Sequence, residues 1–178
     1  NGSCFLGSAI TFPKKEPIKN GYQFAGWKLL NGKIYNSNTT ISKACSLLNL
    51  GTDIGLSNHV TAVWCHECLD IEHGECQLTK HNSGICTYNT TCEKGFSIVN
   101  KGNYNSKCEK NEITIDYNEN DGSDIDNSVC KYSDDLKITD KVPIKEGYTF
   151  NGWLLADGKT FTSSNKIIKD GCVKSNIG

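Results

Sequence analysis

The 178-residue sequence contains no arginine and no methionine, and only three prolines. It has no run of about 18 apolar residues, which excludes a helix long enough to cross a membrane, and no basic-then-apolar leader. The chain is therefore expected to be a mature or internal fragment without membrane insertion. Its 19 basic residues, all lysine, are balanced by 20 acidic ones for a net charge of -1, and no basic stripe gathers them. Nucleic acid is thus not an expected partner. What the chain does have is cysteine, 10 in all, in a polar background. That many thiols call either for disulfides in an oxidising compartment or for metal sites in a reducing one. Three Asn-x-Ser/Thr sequons, at Asn1, Asn38 and Asn89, are glycosylation acceptors that fit a secreted chain.

Self-similarity organises the sequence. Pro17-Ile18-Lys19-Asn20-Gly21-Tyr22-Gln23-Phe24-Ala25-Gly26-Trp27 returns as Pro143-Ile144-Lys145-Glu146-Gly147-Tyr148-Thr149-Phe150-Asn151-Gly152-Trp153, at an offset of 126 residues. From Pro17 to Lys33, 11 of 17 positions are identical. At the same offset Cys4 falls on Cys130, Ile10 on Leu136 and Phe12 on Ile138, and Cys45 falls one residue short of Cys172. Each copy therefore carries its own cysteine pair, and the equivalence predicts Cys4 bonded to Cys45 and Cys130 bonded to Cys172.

Tyr22 and Phe24 alternate as a strand requires, whereas Trp27 and Leu29 lie on the other parity. An extra residue must be absorbed between them, and Gly26, like Gly152 in the second copy, is where a bulge forms cheaply. Asn31-Gly32 and Asp157-Gly158 then supply the positive φ of a tight hairpin turn. Val60, Ala62 and Trp64 alternate as a closing strand behind the first copy, and Ile113, Ile115 and Tyr117 as an opening strand ahead of the second. A short helix is expected over Ser42 to Leu50. Counted from these markers, the first copy lacks an opening strand and the second a closing one, so unpaired sheet edges are expected.

Gly-Tyr-x-Phe-x-Gly-Trp, preceded by Pro-x-Lys and followed by the strand ending Val60-Thr61-Ala62-Val63-Trp64, resembles the Listeria-Bacteroides repeat, the family of the B repeats in internalin-type surface proteins. Ile113 to Gly122 resembles that family's opening strand and Asn/Gly-rich turn. The resemblance implies small β-grasp-like modules arranged in arrays on a secreted or surface-displayed chain, with no catalysis. The fold class is accordingly mainly β, a small α+β arrangement, with modules at 1–64 and 111–178 around a cysteine-rich segment at 65–110.

That segment holds Cys65, Cys68, Cys76, Cys86, Cys92 and Cys108 and few large apolar residues, so it needs covalent staples. Cys92-Glu93-Lys94-Gly95-Phe96 followed by Cys108 resembles the end of an epidermal-growth-factor-like module. The resemblance implies Cys65 paired with Cys76, Cys68 with Cys86, and Cys92 with Cys108.

Cys65-His66-Glu67-Cys68 has the two-residue gap with which two sulfurs share one tetrahedral ion, or one thiolate attacks the other. No second such pair and no βαβ pattern accompanies it, so structural bridging is favoured over zinc and over redox chemistry. His66, His73 and His81 are read as surface residues. Asp116-x-Asn118-x-Asn120 begins like a calcium loop, but Asp121 stands where the loop needs Gly and no Glu closes it, so a turn is favoured. The four histidines, at 59, 66, 73 and 81, sit in no nucleophile motif. No catalytic residue, metal or cofactor is expected, and the chain is not expected to be an enzyme. Tyr22, Phe24, Gly26 and Trp27, with Tyr148, Phe150, Gly152 and Trp153, are read as each module's core rather than as a sugar-binding platform.

Two functions stay open. One is an extracellular, disulfide-stapled stalk, fibre or adhesin, whose partners are further copies of itself or flanking repeats joined by strand addition, and a host or cell-surface protein or glycan. The other is a secreted binding module in which the cysteine-rich insert recognises a receptor or protease.

Overall fold

A computed structural model describes residues 4–46, 50, 60–162 and 167–177. The fold is mainly β, and the chain divides into two compact units, residues 1–91 with 98–107 and residues 92–97 with 108–178.

In the first unit, β1 (Ile10–Thr11) pairs antiparallel with β4 (Thr40–Ile41), and β2 (Tyr22–Lys28) lies between β3 (Ile34–Tyr35) and β5 (Thr61–His66). The β2–β5 register runs Tyr22 to His66 and Phe24 to Trp64, then slips to Gly26 opposite Val63 and Trp27 opposite Ala62. This is the expected bulge. Gly26 has φ 138°, and a Cβ there would stand 2.7 Å from Ile34 Cγ2 and 2.9 Å from the Tyr35 carbonyl oxygen. The slip turns Phe24 and Trp27 onto one face, with ring centroids 5.0 Å apart. Phe24, Ala25 and Leu29 are buried there with Phe12, which stacks on Tyr35. The hairpin from β2 to β3 closes through the Gly32 amide on the Leu29 carbonyl and the Leu29 amide on the Lys33 carbonyl. Of the turn pair only Gly32 has positive φ, 85°. The turn is thus the three-residue type ending in a left-handed glycine, not one with two left-handed residues.

A hairpin of β6 (Gly74–Asn82) and β7 (Ile85–Cys92) follows, its turn made by Ser83 and Gly84, both at positive φ. Its tip folds back on β2, where the Gly84 amide donates to the Ala25 carbonyl at 2.8 Å. A further pair, β8 (Phe96–Val99) with β9 (Lys107–Lys110), completes the cysteine-rich stretch.

In the second unit β10 (Glu112–Ile115) pairs with β11 (Ser128–Lys131). Next, β12 (Leu136–Lys137) pairs with β15 (Ile167–Ile168), and β13 (Trp153–Leu154) with β14 (Thr160–Phe161); α1 (Lys174–Ile177) comes last. Trp153 opposes Phe161 as Trp27 opposes Tyr35. The core is Ile115, Tyr117, Leu136, Ile138 and Trp153. Burying a tyrosine requires a partner for its hydroxyl. Tyr117 Oη meets Ser128 Oγ at 3.0 Å and accepts the Thr139 amide at 3.1 Å.

Two expectations fare differently. A separate module over 65–110 does not form a unit of its own: residues 65–91 belong with the first unit, and 92–97 with the second. The helix expected over Ser42 to Leu50 begins as a turn, with Lys43 at φ 53°, but Leu50 is helical, its amide donating to the Ser46 carbonyl at 3.0 Å, while residues 47–49 lie outside the described residues.

Candidate functional site

Each repeat is closed by its own bridge, Cys4 to Cys45 across 41 residues and Cys130 to Cys172 across 42. The surrounding backbone repeats as well. The Gly7 amide donates to the Cys45 carbonyl and the Cys45 amide to the Ser8 carbonyl; Ser133, Cys172 and Asp134 make the same exchange.

Cys92 is bonded to Cys108, but Cys65 is bonded to Cys86 and Cys68 to Cys76. The last two bridges correct the pairing implied by the growth-factor resemblance. The cause is the β6–β7 hairpin. His81 Nδ1 lies 2.9 Å from the Phe24 carbonyl, so the hairpin returns over β2 and brings Cys86 to the buried end of β5 at Cys65. Cys68 and Cys76 close the 8-residue loop inside it. Non-reducing peptide mapping should recover Cys65 with Cys86; a fragment joining Cys65 to Cys76 would refute this nesting. Since Cys65 and Cys68 serve different bridges, they are not a shared metal pair. Among the described residues no group of three His, Cys, Asp or Glu side chains is placed to hold a metal ion.

The motif residues do not take equal positions in the two copies. Phe24 and Trp153 are buried, while Trp27 and Phe150 are half-buried. Tyr148, expected in the core, is 73 % exposed, which corrects that assignment. Tyr22 lies against His66 of β5 at 4.2 Å between ring centroids, whereas no strand pairs with residues 148–152 among the described residues. Conversely, Tyr117 packs on Trp153 at 5.0 Å, and Trp27 has no described counterpart of that ring.

His66 is not a plain surface residue. It is half-buried between Tyr22 and Tyr104, stacked on the latter at 4.2 Å, and its carbonyl accepts the Tyr88 hydroxyl at 2.9 Å. Burial and the neighbouring Tyr104 push the Tyr88 phenol up, opposed by that hydrogen bond. Nothing in the spacing of these residues announces the cluster, because Tyr104 comes from a loop 38 positions beyond His66. His73 is exposed at φ 59°, and His59 lies outside the described residues. Asp116 to Asp121 forms a turn, in which Asn118 Oδ1 accepts the Asn120 amide at 3.0 Å and Asn120 and Asp121 both have positive φ. Asn38 and Asn89 are exposed, and Asn1 lies outside the described residues.

The second unit carries an open groove of about 730 Å³. Ile115, Tyr117, Tyr148, Phe150, Gly152 and Trp153 line it, with Asp116, Glu119 and Lys145 at its margin. Lys145 Nζ sits 4.8 Å from the Tyr148 ring and donates to the Asn120 carbonyl at 2.8 Å. The equivalent Lys19 Nζ lies 3.6 Å from the Tyr22 ring and 5.9 Å from that of Trp64.

A family model described as the Listeria-Bacteroides repeat domain matches residues 5–48 and 114–177, more than half of the chain. No curated protein matches the chain, and no solved structure does. Five disulfides fit an oxidising, extracellular setting. No helix among the described residues is long and apolar enough to cross a membrane. With two segments matched in register and a bulge glycine, hairpin and cysteine bridge common to both, the chain belongs to the Listeria-Bacteroides repeat family.

Proposed function

We propose that the chain is a non-catalytic, adhesive segment of a cell-surface stalk or fibre, held outside the cell by its neighbours in the same polypeptide and presenting its repeats to a host or cell-surface protein or glycan. The observation that carries this reading is that each repeat is closed by a bridge of its own, 41 and 42 residues long, with no bond running from one repeat to the other. A bridge that closes each repeat on itself stabilises that repeat separately, which suits display in series. Sugars on the exposed Asn38 and Asn89 would add protection without touching either core.

An antibody raised against residues 1–178 should stain intact, unpermeabilised cells and reduce their attachment to a host layer or to one another. Staining only after permeabilisation would reject the reading. Recognition by the cysteine-rich stretch is the second reading, favoured by Leu69, ahead of the β6–β7 hairpin, and Ile85, at the start of β7, which are 58 % and 50 % exposed. Leu69→Ser with Ile85→Ser separates the two: attachment survives under the first reading and is lost under the second.

A further inference from the structure

Four Asn-Gly steps occur in the sequence, at Asn1, Asn20, Asn31 and Asn151, and the first lies outside the described residues. Such a step can close on itself, since glycine has no Cβ to shield its amide nitrogen. That nitrogen, once it has given its proton to hydroxide, bonds to the asparagine Cγ, and ammonia leaves to give a succinimide ring. Water then opens either ring carbonyl, producing aspartate or isoaspartate; in the latter the main chain runs through Cγ and is longer by a carbon. The sequence of steps consumes a water, releases an ammonia and changes no oxidation state.

The described steps stand in different surroundings. At Asn31 the Gly32 amide donates to the Leu29 carbonyl at 3.0 Å, and Asn31 Oδ1 accepts the Lys33 amide at 2.9 Å, so nucleophile and carboxamide are both held. At Asn151 the glycine is half-buried, and a Cβ on Gly152 would stand 2.7 Å from the Phe161 carbonyl oxygen and 2.9 Å from Thr160 Cγ2. That peptide has no room to turn its nitrogen toward Cγ. Asn20 and Gly21 are exposed, and a Cβ on Gly21 would meet nothing within 4 Å. Among the described residues neither the Gly21 amide nor the Asn20 carboxamide has a hydrogen bond. We infer that Asn20 is a self-modification site, converted through a succinimide to aspartate and isoaspartate, while the fold protects Asn31 and Asn151.

The second repeat tells the two products apart. Its equivalent turn places Glu146 before Gly147, with φ 78° at Gly147 beside 75° at Gly21, and the Tyr148 amide donates to the Lys145 carbonyl as Tyr22 does to Lys19, both at 3.1 Å. This turn therefore accepts an exposed carboxylate, and aspartate at position 20 leaves it intact. Isoaspartate does not. Just after it β2 begins at Tyr22, and the Gly21 carbonyl accepts the Glu67 amide at 2.9 Å, next to the end of β5. An extra main-chain carbon before Gly21 displaces that carbonyl and loosens the closing contact of the first repeat. The inference stands apart from the adhesive reading.

The test incubates the whole 178-residue protein, bridges intact, in mildly alkaline buffer and maps its peptides by mass spectrometry over time. Acid should form at position 20 about tenfold or more faster than at position 31, where two hydrogen bonds must break first. It should also outpace position 151. In reduced, denatured protein the three rates should converge. Amide exchange at Glu67 should quicken in the isoaspartate fraction and stay unchanged in Asn20→Asp. Equal rates at the three positions in the folded protein overturn the inference, and so does a preference for position 20 that persists undiminished in the denatured chain.

Discussion

Trp153→Ala should unfold the second repeat, at a cost of about 3–5 kcal/mol. The indole is 7 % exposed and wedged between Tyr117 and Phe150, with ring centroids 5.0 and 5.2 Å away. The other buried members of that core are Ile115, Tyr117, Leu136 and Ile138, too few to collapse around the space a lost indole leaves. Among the described residues the buried indole nitrogen has no hydrogen-bond partner, so Trp153→Phe discards an unsatisfied donor along with part of the ring and should recover much of the loss. Trp27→Ala should cost less, about 1–2 kcal/mol, because that ring is half-exposed and its strand is flanked on both sides. Amide exchange followed separately in β2 and β5 and in β10 and β11 would distinguish the two cases. An unchanged urea midpoint for Trp153→Ala would show that the second repeat is not organised on this ring.

The second large effect concerns the bridge of the same repeat. Replacing Cys130 and Cys172 together by serine releases a 42-residue loop, worth about 4 kcal/mol of denatured-state entropy on the chain-entropy account. A module of this size has a total margin of only about 3–10 kcal/mol, so most or all of it should disappear. The burial of Cys172, at 0 % exposure, where its carbonyl accepts the Ser133 amide and its amide donates to the Asp134 carbonyl, adds to the cost of a polar replacement. Urea denaturation of the double variant should show the second repeat melting well before the first. Coincident midpoints for variant and parent would mean that the bridge constrains little that the fold does not already hold.

Much of this architecture was readable from local patterns. The parity change between Phe24 and Trp27 announced a bulge, and Gly26 marked its place, because both signals lie within a few residues of the feature they specify. The cysteine pairs of the repeats were readable from equivalence between copies. The inner bridges were not, since Cys65 meets Cys86 only once a hairpin has folded back on β2, a tertiary event that spacing does not record. Tyr148 is the instructive error. It shares its neighbours in sequence with Tyr22, but a side chain is buried by what lies across from it, and the partner strand belongs to a different stretch of chain. Sequence identity between copies suggested sameness, while the difference in burial lies in which neighbours each copy has.

The bridges have a mechanical consequence. Under tension a folded domain yields by unravelling and releasing its hidden length, but a covalent clip carries the pull directly from one cysteine to the other. The chain from Cys4 to Cys45, a sequence separation of 41, holds back roughly 140 Å of contour, at about 3.3–3.6 Å per residue. Cys130 and Cys172 hold back a similar length. In an oxidising medium a tether made of such repeats stays short when pulled, and a reductant would turn it into an extensible one.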